Sequence, residues 1–346
     1  MSIKLKTIPG PDLMDMDLPP TRMVIRRLLP QGTHILAGAP KIGKSFLALW
    51  LCIQVSKGEL VWDLPTEKGT VLYLCLEDSL SRIQDRVLSL TDSIPPNIHF
   101  AIAAETLNGG LIKQIEAFIA EHPDTVLIVI DTLQLVRNTS GDVNAYANDY
   151  KDISQFKTIT NDRGIAILLV HHLRKQRDSD PFNMVSGTTG LTGAPDGTYI
   201  LEKDSRNSRS AKLSATGRDI DRLEYIIEFG KDAPIWELVS DNSDGLFSLS
   251  SDKILSGVID FIKVEKGFIG TASELAEKMN IQTLPNILSK KIIRNTTVLE
   301  ELGVIVERSR TGVKRELAII YKSPVGDGND SNDSKIGSGS VPDLPS

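Results

Sequence analysis

Residues 38–45 read Gly-Ala-Pro-Lys-Ile-Gly-Lys-Ser, a complete G-x-x-x-x-G-K-S pattern, and its flanks leave it one structural setting. Ahead of it, Thr33-His34-Ile35-Leu36-Ala37 is short and apolar, as a buried strand is. Behind it, Phe46 to Val55 is apolar on every side, as a helix packed against a sheet is. Gly38 and Gly43 let the backbone curl so that several N–H groups point at phosphates, and Lys44 reaches the outer phosphate oxygens. Ser45 offers a hydroxyl to Mg²⁺. Ala39, Pro40, Lys41 and Ile42 complete the turn, with Lys41 either a solvated loop residue or an added phosphate contact. Strand, loop and helix together imply a bound nucleotide with Mg²⁺.

The 346 residues suffice for one large or two ordinary domains. A hydrophobic content of 40% and a charged content of 24% are those of a soluble globular chain. No apolar stretch reaches the ~18 residues that cross a bilayer. Residues 1–6 lack the apolar region of a signal peptide. Cys52 and Cys75 have no metal-ligand spacing and read as core residues of a reducing compartment, so the expected location is cytoplasmic, away from membranes. The net charge of −6 is uneven: residues 251–322 carry 12 Lys/Arg against 9 Asp/Glu, whereas 323–346 carry four Asp and one Lys. Overall acidity therefore does not exclude a nucleic-acid partner, because local patches decide where phosphates dock.

Residues 1–20, with four prolines, read as an extended leader. Residues 21–240 alternate apolar strands (33–37, 70–76, 126–130, 165–170, 197–202, 211–215, 224–229) with helices (44–56, 79–90, 109–121, 145–163). That alternation predicts an α/β domain, a mostly parallel sheet sandwiched by helices, with the closely spaced late strands added antiparallel at one edge. Residues 241–245 read as a linker, 246–322 as a second small domain, and 323–346 as a disordered tail. The second domain parses as helices over 252–264, 271–279 and 284–302, then strands Val304–Arg308 and Lys314–Tyr321 turning at Thr311-Gly312. Thr271 and Glu274 form a capping box at the second helix. This is winged-helix order. Lys290, Lys291 and Arg294 recur on its third helix and Arg308, Arg310, Lys314 and Arg315 cluster at the wing, a footprint for duplex DNA, although many such domains bind only proteins.

Ligands of open parallel sheets bind beyond the carboxyl ends of the strands. Four strands here end in polar residues: at Gly38, at Glu77-Asp78, at Asp131-Thr132 and at His171-His172. Asp131 has the form of the carboxylate that holds Mg²⁺ with Ser45. Glu77, ahead of Asp78, is the candidate to orient and deprotonate the attacking water; its alternative is to cap the helix at Ser79. His171, nearer the strand than His172, is either a structural residue or a hydrogen-bond partner of the γ-phosphate that transmits its loss to the next loop.

Six segments together resemble the RecA-like ATPases, most closely the RepA-type hexameric helicases of plasmids and mobile elements. They are residues 38–45, 73–78, 127–132 and 169–175, with Ser186 to Asp196 and Ser214 to Asp219. The resemblance covers roughly residues 22–230. It implies an ATP-hydrolysing DNA helicase assembled as a homo-hexamer, with a basic residue of one subunit touching the phosphates held by its neighbour. Arg218 is the first choice by position, with Arg206 and Arg209 behind it; the alternative is a surface arginine paired with Asp219 or Asp221. The resemblance also turns the loop at 174–190, with Arg174, Lys175 and Arg177, toward single-stranded DNA in a central channel. The appended winged-helix region departs from the helicase core and keeps a second reading open, an ATP-switched DNA-binding regulator or loader that does not unwind. A small-molecule kinase is a third reading, which leaves Glu77, the paired histidines and the basic loop unexplained.

Overall fold

The computed structural model describes residues 7–16, 18–137, 145–174, 178, 180–186, 189–203, 205, 207–220, 222–231, 233–243, 253–311 and 314–322. Two compact units divide the chain: Asp17–Ser248, and Leu249–Ser346 together with Met1–Met16. The leader expected to be extended contains a short helix, α1 (Gly10–Asp15), because Pro11 sits in its first turn, where a missing N–H costs nothing.

In the larger unit a two-stranded ribbon, β1 (Met23–Ile25) and β2 (Leu29–Pro30), leads into the main sheet. That sheet holds β3 (Gly32–Gly38), β4 (Thr70–Cys75), β5 (Ile98–Ala101), β6 (Thr125–Asp131), β7 (Ala166–His172), β8 (Gly197–Glu202), β9 (Ser210–Gly217), β10 (Leu223–Phe229) and β11 (Trp236–Asp241). Its spatial order is β11-β10-β9-β8-β3-β7-β6-β4-β5. The six strands from β8 to β5 run parallel, and β9, β10 and β11 are antiparallel additions, as the spacing predicts. The helices are α2 (Lys44–Lys57), α3 (Leu80–Leu90), α4 (Leu111–Glu121), α5 (Leu133–Val136), α6 (Ala145–Arg163) and α7 (Thr189–Gly193).

Both sheet faces are covered, which is why the central strands are continuous apolar runs rather than alternating ones. Tyr73, Cys75 and Val129 join α2 in one core, while Leu72, Leu74, Ile128 and Ile130 join α4 and α6 in the other. Strands β5 and β11 are absent from the sequence reading for a physical reason. They are the sheet's two edges, each partly exposed, and neither carries a buried run.

The smaller unit has its own core of Leu255, Val258, Ile262, Leu275, Leu288, Ile292, Leu299, Val304 and Ile319. Its helices span Lys253–Glu265, Ala272–Lys278, Pro285–Arg294 and Thr296–Glu301. The expected capping box is present: Glu274 N–H donates to Thr271 Oγ1 (3.3 Å) and Thr271 N–H to Glu274 Oε2 (2.7 Å). The helix expected over 284–302 is two helices. Asn295 leaves helical geometry (φ −109°, ψ 16°) and its side-chain amide bonds the Lys291 carbonyl at 2.8 Å. An unexpected strand, β12 (Gly267–Gly270), pairs with the hairpin of β13 (Val304–Thr311) and β14 (Lys314–Tyr321) in the order β12-β14-β13. Gly312 at the predicted turn, residues 323–346, and the side chains of Arg294, Arg308, Arg310, Lys314 and Arg315 lie outside the described residues. Among the described residues, no helix is long and apolar enough to cross a membrane.

Candidate active site

The phosphate loop joins β3 to α2 at the carboxyl end of the parallel strands. Gly38 has no room for a side chain, since a Cβ there would stand 2.8 Å from the Leu201 carbonyl oxygen. Gly43 takes φ 108°, in the left-handed region where a side chain strains the backbone. Ala39, Pro40 and Lys41 are exposed at the rim, and Ile42 is buried beneath them. Lys44 is only 5% exposed, and its ammonium donates to the carbonyls of Gly38 (2.9 Å) and Ala39 (3.0 Å). Burial lowers its pKa to about 8, against the opposing pull of Asp131 and Glu77.

Asp131 ends β6 beside the start of α2 and is almost fully buried. Burial pushes its carboxyl up, while hydrogen bonds from the Ser45 and Tyr73 hydroxyls pull it back. The Tyr73 hydroxyl lies 2.8 Å from Asp131 Oδ2. The sequence reading assigned Tyr73 no role; the available signal was a phenol in a central strand, which must find a partner when buried.

Glu77 lies just past β4, where Thr132 Oγ1 donates to its Oε1 at 3.1 Å. Asp78 is committed elsewhere: it pairs with Arg82 (3.0 Å) and Arg86 of α3. Ser79 caps α3 through its hydroxyl, 3.4 Å from the Arg82 N–H, so the helix does not need Glu77 as a cap.

The tandem histidines face opposite ways. His171 is buried and its Nε2–H donates to the Ser186 carbonyl at 2.6 Å, beside Arg137 and Asp149. His172 is in register with Gly38. Its pKa is lowered first by burial and then by Lys44, against Glu77 and Asp131, which places it among the site residues. The sequence reading put His171 ahead of His172; here His171 is held by Ser186, and His172 is the one that Lys44, Glu77 and Asp131 act on. Side chains alternate along a strand, and being nearer the strand does not decide which face a residue takes.

Arg218 is not at the nucleotide end. Strand β9 runs antiparallel to β8, so Gly217 returns to Gly197 and hence to the amino end of β3. There Arg218 pairs with Asp196 at 3.2 Å, across the length of β3 (about 20 Å) from the loop. Asp196 also pairs with Lys157 at 2.8 Å. Arg209, just before β9, is at the nucleotide end and pairs with Glu228 at 3.4 Å; Arg206 lies outside the described residues. Lys203, absent from the sequence reading, also sits there, with its ammonium over the Trp236 ring (5.1 Å).

The loop at 174–190 is folded back in its described part. Arg174 N–H donates to the Met184 carbonyl (2.8 Å) and Ser186 N–H to the His172 carbonyl (2.9 Å). Lys175 and Arg177 lie outside the described residues.

A family model described as an AAA domain matches residues 4–178. The chain belongs to that AAA domain family. The match holds the phosphate loop, Glu77, Asp131 and His172, and ends before β8. No curated protein matches the chain. Among solved structures, the ATPase domain of G40P is similar at a TM-score of 0.51 and 14% identity, over 61% of this chain and 85% of that one. A DnaB-like replicative helicase, solved with its interactions with primase, is similar at a TM-score of 0.49 and 16% identity, over 62% of this chain and 59% of that one. At such identities the G40P likeness speaks for the fold alone. This AAA domain has the RecA-like α/β architecture, a mostly parallel sheet flanked by helices.

Proposed function

We propose that the chain is an ATP-hydrolysing motor acting on DNA, a replicative helicase of RepA type assembled as a ring of identical subunits. The observation that carries this reading is the convergence of Lys44, Ser45, Glu77, Asp131 and His172 at the carboxyl ends of four neighbouring parallel strands. A small-molecule kinase can use Glu77 on a substrate hydroxyl, but it gives His172 and the basic segment at 174–190 no work.

The Ser45 hydroxyl and Asp131 carboxylate, hydrogen-bonded to each other, form a pair of hard oxygen donors that fits Mg²⁺. They would hold the ion, which when bound neutralises charge on the β- and γ-phosphates. Lys44 draws charge from the phosphate oxygens. Glu77, oriented by Thr132, positions the attacking water and takes its proton. His172 hydrogen-bonds the γ-phosphate, and its own carbonyl is bonded to Ser186, so loss of the phosphate reaches the 174–190 segment that we assign to single-stranded DNA. In the ring, the cation offered to the neighbour's phosphates comes from the β8–β9 segment with Lys203, Arg206 and Arg209.

The helix, strand, three-helix and hairpin order of the smaller unit supports a winged-helix domain that contacts duplex DNA, and it favours the second reading, a site-binding regulator. Strand displacement separates the two. A helicase shows ATP hydrolysis stimulated by single-stranded DNA and separates a forked duplex. Hydrolysis without stimulation, combined with binding of intact duplex and no strand separation, overturns the motor in favour of the regulator.

A further inference from the structure

We propose that Trp236, on the outermost strand of the sheet, is a positioning residue for the phosphate loop. This rests on the nucleotide-binding reading above. The indole N–H donates to the carbonyl of Gly43 at 3.2 Å, across 193 residues of sequence. The ring edge also occupies the side-chain space of Gly43, where a Cβ would stand 2.9 Å from Trp236 Cζ2. Trp236 is itself immobilised: it is fully buried, its carbonyl accepts from the Trp62 indole at 2.6 Å, and Phe229 packs edge-on at 5.0 Å.

The carbonyl of Gly43 and the N–H of Lys44 belong to one planar trans peptide and point in opposite directions. Lys44 is the first residue of α2, so its N–H has no partner within the helix and is available to a phosphate. The Leu47 N–H also donates to that carbonyl, at 3.0 Å, so Trp236 is the second of two donors that hold it and thereby hold the Lys44 N–H toward the nucleotide. The N–H meets the phosphate in ground state and transition state alike, so its misplacement weakens binding without slowing the bound complex.

Trp236→Phe keeps a ring beside Gly43 and Phe229 and removes the donor. One neutral hydrogen bond corresponds to a change of about 2- to 12-fold. The expected result is a rise of that size in both the Kd and the KM for ATP, with kcat within twofold of wild type. A merely structural role lowers kcat through loss of folded protein and leaves KM unchanged; that pattern, or an unaltered Kd, overturns the assignment while ATP turnover by the wild type leaves the nucleotide reading intact. A wild-type protein that binds no ATP overturns both. The Trp50→Phe variant retains Trp236 and its anchor Trp62 as its two remaining tryptophans. Its emission is expected to change on ATP addition, and constant emission at saturating ATP overturns the proposal even where Trp236→Phe fails to fold.

Discussion

The buried ammonium of Lys44 makes ATP binding depend on pH with a definite sign. Its pKa in the free protein stands at about 8, whereas the ordinary lysine value is 10.5. That difference corresponds to about 3 kcal/mol, at roughly 1.4 kcal/mol per unit of pKa. The unfolded chain holds this proton over the range from 8 to 10.5 where the folded chain releases it, so Lys44 adds to stability as pH rises through that window. Nucleotide phosphates reverse the balance by favouring the charged form. Affinity for ATP is therefore full below about 8 and falls as pH rises above it. For a group of that pKa, the protonated fraction falls about tenfold between pH 7 and pH 9, and the Kd rises by the same factor. Titration calorimetry at pH 8 in buffers of different ionisation enthalpy should show uptake of about half a proton per ATP bound. Lys44→Arg, whose guanidinium does not titrate here, should flatten the profile. A Kd for the wild type that is constant from pH 7 to pH 9, with no proton uptake, refutes the argument.

Glu77→Gln should bind ATP and lose about 10²–10⁴-fold in turnover, the usual cost of a general base, while Asp78→Asn should lower the melting temperature through α3 and spare turnover; steady-state ATPase and thermal melts on both variants decide it. His172→Ala should lose most of the stimulation of hydrolysis by single-stranded DNA. His171→Ala should instead destabilise the fold by about 1–3 kcal/mol by emptying the buried space of the imidazole and removing the partner of the part-buried Ser186 carbonyl, as measured by denaturant unfolding. Deleting residues 249–346 should leave a folded unit that hydrolyses ATP and binds duplex DNA more weakly, because each unit has its own core; insolubility or loss of ATPase counts against that division.

What the sequence determined by itself is local or periodic. The eight residues of the phosphate loop carry their conformation in two glycines and the flanking strand and helix. Asp131 and Glu77 are legible because each follows an apolar run long enough to be a buried strand. The strands from β3 to β10 within the sheet interior are legible for the same reason, with ends within two residues of expectation except at β5, which is an edge. The tertiary structure decided whatever depends on the direction and facing of chains distant in sequence. Pairing of β7 with β3 turns His172 toward Lys44 and His171 away, a choice that one strand's own residues do not make. Antiparallel pairing of β9 with β8 carries Arg218 to the amino end of β3, beside Asp196, and leaves Arg209 at the opposite end. Asp78 is paired by two arginines of α3, and Tyr73 and Trp236 reach Asp131 and Gly43 only because β4 and β11 come to lie against α2 and the loop. Spacing along a chain fixes which residues share a strand face; only the pairing of strands, through hydrogen bonds between residues far apart, sets what that face looks onto.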